Sequence, residues 1–257
     1  MNRTHLMTLG LALFAALAMA APANAGFINI DDFESYSDGD SINTKDDWNN
    51  NGTVDTDPAG GTNLVLAFQP SNGTGNYSGS DIKISDDTTG TLFFRARMTA
   101  GAQAFGFGMS DVNNASGSWN DFEAQLTWDD TGSPISIRDG GGPHPSATAT
   151  AGAWYLIWMV IDNDRDTYDV YFQSSDDATY SAQTQVADDA GFRNGSANND
   201  LVSFFMRSNT GEGSVLYVDD IYLDTTGENL DNPIPEPATL ALLGLGGLMM
   251  IGRKRRA

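Results

Sequence analysis

The chain contains no cysteine, so no disulfide ties its 257 residues together and stability has to come from core burial or from bound ions. Histidine is nearly absent too, with His5 and His144 the whole complement. A zinc site of the usual Cys/His kind is thereby excluded, and Ser-His-Asp catalysis beyond the N-terminal segment could run only through His144, in Gly142-Pro143-His144-Pro145. Glutamate is scarce: Glu34, Glu123, Glu212, Glu228 and Glu236 are all there are. Between the two ends no apolar pattern of helical period is sustained, which argues against a helical domain.

Acidic charge is what the chain has in abundance, with 34 acidic residues against 13 basic ones. Five of the basic residues, Arg3, Arg253, Lys254, Arg255 and Arg256, lie at the ends, and every acidic residue lies between them. Residues 26–237 therefore carry eight basic and 34 acidic groups, a net charge of −26. Such a surface speaks against nucleic acid and anionic lipid as partners. It suits either cation binding or a solvated acidic coat.

The two ends have separate export chemistry. Arg3, the apolar run Leu6 to Ala20 and then Ala23-Asn24-Ala25 give residues 1–25 the form of a signal peptide that signal peptidase removes, so the mature chain is expected to begin at Gly26. At the other end stands Pro233-Ile234-Pro235-Glu236-Pro237, followed by an apolar stretch over 238–252 and a basic cluster. The prolines hold the chain extended for a processing enzyme. As a helix the apolar stretch covers about 22 Å of a hydrocarbon core near 30 Å, a short transmembrane anchor with its arginines on the cytoplasmic side. Pro235-Glu236-Pro237, this helix and the basic tail together resemble the PEP-CTERM sorting signal of Gram-negative bacteria. That resemblance implies recognition by an exosortase, transient anchoring in the inner membrane, and release to the cell surface or an extracellular matrix.

Between the ends, short apolar or alternating segments recur between Gly, Asn, Asp and Ser clusters, an all-β signature. Strands are expected at 27–33, 64–68, 81–84, 91–99, 104–109, 122–128, 135–138, 154–162, 167–173, 201–207 and 215–223. The clearest unit is a hairpin: an all-apolar arm Trp154 to Ile161, the turn Asp162-Asn163-Asp164-Arg165-Asp166, and an alternating arm Thr167 to Phe172. Asp162, Asp164 and Asp166 mimic the start of a calcium loop, but Thr167 and Gln173 stand where that loop needs glycine and glutamate. The opening Asp31-Asp32-Phe33-Glu34-Ser35-Tyr36, Trp48, the Trp154 hairpin and the closing Tyr217-Val218-Asp219-Asp220-Ile221-Tyr222-Leu223 occur in an order similar to that of the concanavalin A-like, laminin-G-like jelly rolls. The resemblance implies a two-sheet antiparallel sandwich over 26–224, whose first and last strands pair. A linker over 225–234 then leads to the sorting signal at 235–257.

That fold hosts lectins, adhesion modules, hydrolases and lyases, so the resemblance leaves function open. It implies a carbohydrate-binding or structural role in exopolysaccharide, with a polysaccharide-cleaving enzyme as the alternative. Pairing the first and last strands brings Asp32 and Glu34 to Asp219 and Asp220, and such carboxylates converge only around a cation or a basic residue; a structural Ca2+ ion is the expectation here. Sugar binding needs aromatic rings beside amides in polar loops, which nominates Trp48, Tyr77 and Trp119. The jelly-roll glycosidases use a Glu-x-Asp-x-x-Glu strand, and no two glutamates here have that spacing. Glu123 lies two residues from Asp121, so an acid and base pair is conceivable there, but nothing singles it out from the many aspartates, and no catalytic residue is assigned.

Overall fold

Alternation of apolar and polar side chains sets most of the strands. The computed structural model describes residues 26–234 except 46, 51, 70–72, 101–103, 114–116, 129–133, 195–198 and 210–212, with the backbone alone at 50 and 143–146. The expected signal peptide and the 235–257 segment, with its 238–252 helix, lie outside the described residues. Among those described, fifteen strands form: β1 (Ile28–Asp31), β2 (Trp48–Asn50), β3 (Thr53–Thr56), β4 (Leu64–Phe68), β5 (Thr74–Tyr77), β6 (Thr89–Met98), β7 (Phe105–Ser110), β8 (Gln125–Trp128), β9 (Pro134–Asp139), β10 (Gly142–Thr148), β11 (Tyr155–Asp162), β12 (Thr167–Gln173), β13 (Thr184–Gly191), β14 (Ser203–Ser208) and β15 (Leu216–Asp224). They build two antiparallel sheets. One has the order β13-β12-β11-β6-β15-β4-β3, with β1 also on β15; the other runs β10-β9-β8-β7-β14-β5-β2. No described helix is long and apolar enough to cross a membrane.

The sheets pack face to face through their alternating residues. Phe94 of β6 meets Phe107 of β7 at 5.6 Å and Phe204 of β14 at 5.4 Å between ring centroids, and Trp128 of β8 meets Tyr155 of β11 at 5.6 Å. All five are buried, and each such side chain contributes roughly 1.5–3 kcal/mol by leaving water. Residues 26–230 form one compact unit around this core, which is what independent folding requires.

The 154–173 hairpin is present, with Ile161 opposite Tyr168 and Asp162 opposite Thr167, and the Asp162 carboxylate accepts from the Asp164 and Arg165 amides in the turn. Its first arm is apolar on both faces because β11 lies between β6 and β12 and its outer face is covered as well: Trp158 packs on Phe93 at 5.0 Å. The first and last strands pair, Ile28 opposite Leu223 and Asp31 opposite Ile221. A bulge in β15 at Asp219–Asp220, where Asp220 takes φ 51°, spaces the inward Val218 and Ile221 three apart.

Two departures from the expected strands have local causes. Residues 81–84 make only an isolated bridge, Ile84 to Leu201. β2, β3, β5, β10 and β13 were not anticipated: their sequences are short, Gly- or Pro-bearing, or polar, as in Thr184-Gln185-Val186-Ala187-Asp188-Asp189, and they take strand form from their neighbours. Residues 225–230 of the expected linker are hydrogen bonded into the domain, Thr91 Oγ1 donating to the Gly227 carbonyl and accepting from the Asn229 amide, and Gln183 Nε2 donating to the Leu230 carbonyl.

Candidate functional site

The outer face of the seven-stranded sheet carries a groove of about 350 Å3, lined by Ala104, Trp119, Gln125, Thr127, Ser136, Arg138, Arg193 and Asn209. Alternation places its floor: Leu126, Trp128, Ile135 and Ile137 point into the core, so Gln125, Thr127, Ser136 and Arg138 point out. The buried Tyr168 hydroxyl reaches across from β12 and lies 2.8 Å from the Gln125 carbonyl and 2.5 Å from that of Arg138, fixing β8 and β9 beneath the floor.

One wall is the short 3-10 turn Trp119–Asp121. Ser118 Oγ accepts from the Asn120 amide and the Asp121 carboxylate from the Ser118 amide, a capping box that sets the turn. Trp119 and Phe122 then lie on the sheet at Gly106, where a Cβ would come within 2.4 Å of the Trp119 ring, so the absent side chain makes the seat for the wall. The Arg207 guanidinium sits over the Trp119 ring, 5.0 Å from its centroid. The other wall is Arg193, which donates from Nη1 to Gln125 Oε1 at 2.8 Å and from Nη2 to Asn120 Oδ1 at 3.3 Å. Burial, and then the charges of Arg138 and Arg207, pull the Arg193 pKa down, with the nearby Glu123 carboxylate opposing. Asp121 acts the other way on Arg207, whose pKa burial lowers.

Of the aromatics expected to meet sugar, only Trp119 is at this groove. Trp48 and Tyr77 are buried at 2% and 5% exposure, part of the core, with rings 5.3 Å apart. Trp48 Nε1 donates to Asp31 Oδ2 at 2.7 Å, and the Tyr77 hydroxyl donates to Asp81 at 3.0 Å. Each ring packs in the core with its polar tip satisfied by an aspartate, and the two edge a separate, smaller pocket of about 190 Å3 beside Asp31, Tyr36 and Lys45. Trp154 and Trp158 share one face and are buried, on the outside of the eight-stranded sheet.

Glu123 is buried, and its carboxylate accepts from the Asn194 amide and side chain at 3.3 and 3.0 Å. Burial raises its pKa, those hydrogen bonds opposing. Asp121 is occupied as a cap, so the two do not form a pair across a substrate cleft. The backbone of His144 lies in β10; its side chain is outside the described residues.

Asp32 and Glu34, just past β1, lie near enough to Asp220 to raise its pKa, and the β15 pair is answered by a guanidinium. Arg95, directly opposite Asp219 across the β6–β15 ladder, pairs through Nη2 with Asp219 and through Nε with Asp220 at 2.6 Å, under the Trp154 ring at 5.0 Å. Asp219 also accepts from Asn63. Asp32 accepts from Asn29 and the Glu34 amide, while Glu34 accepts from the Leu64 amide. Burial raises the pKa of Asp219 and of Asp220; each is lowered by Arg95, Asp219 is raised further by Asp220, and Asp220 by Asp32 and Glu34. Among the described residues no group of three or more His, Asp or Glu is arranged to hold a metal.

A larger groove, about 660 Å3, lies by the β11–β12 turn. It is lined by Asp162, Asp169, Asp189 and Glu228 with Arg165, whose charge Asp162 and Asp189 already take.

Among solved structures the chain is similar to arcelin-5, a lectin-like defence protein from Phaseolus vulgaris, at 13% identity over 73% of this chain and 96% of that one, with a TM-score of 0.50. It is also similar to a seed lectin of Lotus tetragonolobus (10% identity, 72% and 95% covered, TM-score 0.47). A third likeness is to the catalytic domain of a glycoside hydrolase family 131 protein from Coprinopsis cinerea (12%, 86% and 90%, 0.44). The likeness to arcelin-5 is one of fold: a lectin-like two-sheet jelly roll. No curated protein matches the sequence. Residues 233–256 match the PEP-CTERM protein-sorting motif, which implies export, sorting to the cell surface and processing by an exosortase. The chain thus carries a PEP-CTERM sorting motif at residues 233–256 and, ahead of it in sequence, a domain with a lectin-like jelly-roll fold.

Proposed function

We propose that this is an exported carbohydrate-binding protein of the cell surface or extracellular matrix, and that the groove on the seven-stranded sheet is its sugar site. One observation carries this: an indole wall stands beside amide, hydroxyl and guanidinium groups, and no described lining residue is a carboxylate. Sugars are held by an apolar surface against their C–H faces and a few placed polar groups. Hydrolysis asks for two carboxylates flanking the bond, and Glu123 and Asp121 are both engaged elsewhere. Binding therefore accounts for the groove better than cleavage does.

The test takes residues 26–230 with a panel of soluble polysaccharides, scoring gel retardation and new reducing or unsaturated ends together. Retardation without new ends is expected, lost in Trp119→Ala while the thermal midpoint stays within a few degrees. New ends would replace the binding module by an enzyme. No retardation with any polymer would leave a structural coat protein.

A further inference from the structure

The groove on the seven-stranded sheet gathers several of the domain's few basic side chains. Eight basic side chains lie between residues 26 and 237. Lys83, Arg95, Arg97 and Arg165 are each paired with aspartate. Arg138 and Arg193 at the groove, and Lys45 away from it beside Ser35 and Tyr36, form no ion pair among the described residues, although aspartate is the commonest charged side chain in the molecule. Their partners are neutral: Arg138 donates to the Gly140 and Gly141 carbonyls at 2.9 and 2.7 Å, Arg193 to Gln125 and Asn120. Gln125 is itself fixed, its amide donating to Thr127 Oγ1 at 2.9 Å, so that its carbonyl oxygen faces Arg193. With Arg207 on the Trp119 ring, three guanidinium groups gather at one groove. Like charges held together repel, and an anion seated among them removes that repulsion.

We propose, on the footing that this groove is the sugar site, that it selects an acidic sugar, whose anionic substituent, a uronate carboxylate or a sulfate ester, seats between Arg138 and Arg193 while its ring lies along Trp119. The planar guanidinium fork matches the spacing of such oxyanions, as a lysine ammonium does not. The domain's net charge repels a polyanion at a distance, but this repulsion is screened beyond about 8 Å at physiological ionic strength. Recognition then depends on contacts inside the groove, where the described lining is free of carboxylates.

The experiment measures binding of residues 26–230 to polygalacturonate and alginate as carboxylate polymers, dextran sulfate as a sulfate polymer, and dextran and mannan as neutral ones. Anionic polymers are expected to bind at least about tenfold more tightly than neutral ones. Arg193→Gln and Arg138→Gln should each weaken anionic binding about tenfold, and by clearly more than they weaken any neutral binding. Preference for the carboxylate or for the sulfate arm tells which oxyanion is read. Arg138 touches only carbonyls of its own turn, so its variant carries the test if Arg193→Gln does not fold. Neutral polymers binding as tightly as anionic ones, or both variants holding anionic polymer within twofold of wild type, would overturn the acidic-sugar assignment. In that event loss of binding in Trp119→Ala would still uphold the sugar site. No binding to any polymer would bring down both.

Discussion

Replacing Arg95 by methionine should destabilise the domain by about 3–5 kcal/mol at pH 8, the usual cost of leaving buried charges without their partner. The burial of the cluster places the cost at the high end. Asp219 is 1% exposed, Asp220 adjoins it, and Arg95 is the one basic group paired with either among the described residues. For a domain of this size the loss corresponds to a fall of roughly 6–20 °C in thermal midpoint. Its dependence on pH is the sharper signature. Both aspartates have raised folded-state pKa values, so their contribution is fully present below the ordinary carboxylate range and is lost as pH rises through the folded values. Without Arg95 those values climb further, and each proton the folded state holds alone steepens the decline by about 1.4 kcal/mol per pH unit. The variant's deficit should therefore shrink markedly between pH 8 and pH 5, when urea unfolding is followed at both. Adding Asp219→Asn and Asp220→Asn to Arg95→Met should recover most of the loss at pH 8, since a buried ion cluster can be replaced by neutral groups at little net cost. A deficit equal at both pH values, and not rescued by the asparagines, would refute the electrostatic account and leave only lost packing under Trp154.

Three further outcomes rest on single contacts. Gly108 holds φ +151°, and a Cβ there would lie 2.0 Å from the Ala124 carbonyl oxygen, so Gly108→Ala should cost at least about 2 kcal/mol; Gly39→Ala, at φ +87° with nothing within 4 Å, should cost about half that or less in the same thermal scan. Asp177 accepts from the Tyr155 hydroxyl at 2.5 Å, the Thr179 amide at 2.9 Å and Thr150 Oγ1 at 3.1 Å. Those bonds, Tyr155's first, hold its pKa down at about 2, so its stabilisation is present above the ordinary carboxylate range and lost as pH falls through about 2; Asp177→Asn should flatten the acid limb of the stability curve. Calcium at about 1 mM, or a chelator, should leave the thermal midpoint unmoved, because Arg95 already pairs with both β15 aspartates; a rise of several degrees with calcium would show ion binding to the folded state.

The sandwich was legible where burial imposes a period. β4, β6, β11, β12 and β15 announce themselves because each presents a core face, and the pairing of first and last strands follows from the resemblance those segments carry. Edge strands such as β3 and β13 bury few side chains, so composition hides them. Site residues were harder for a physical reason. A tryptophan beside asparagines reads alike whether its ring faces solvent or folds under its own loop. Trp48 lies under because Asp31, far away in sequence, accepts from its indole. The convergence of four carboxylates was readable; the residue that answers it was not, because Arg95 reaches them only through the register of β6 against β15. The groove arginines were missed altogether, although Ser136 and Arg138 alternate with Ile135 and Ile137 and so announce an outward face.

The two sheets therefore use the same residue for opposite ends. On the outside of the eight-stranded sheet, Arg95 lies opposite an aspartate and Arg97 lies 3.9 Å from Asp57, so their charge is consumed within the protein. On the outside of the seven-stranded sheet, Arg138 and Arg193 bond to carbonyl and amide oxygens, which orient a guanidinium without cancelling its charge. Had those arginines served stability alone, an aspartate at Gln125 or Asn120 would have served better, and aspartate is abundant everywhere else in the chain. Gln125→Glu puts a carboxylate at that position with the side-chain length kept: it should pair with Arg193, leave the fold at least as stable, and abolish binding of an acidic polymer. Undiminished binding in that variant would mean that the groove's positive charge is incidental to what it holds.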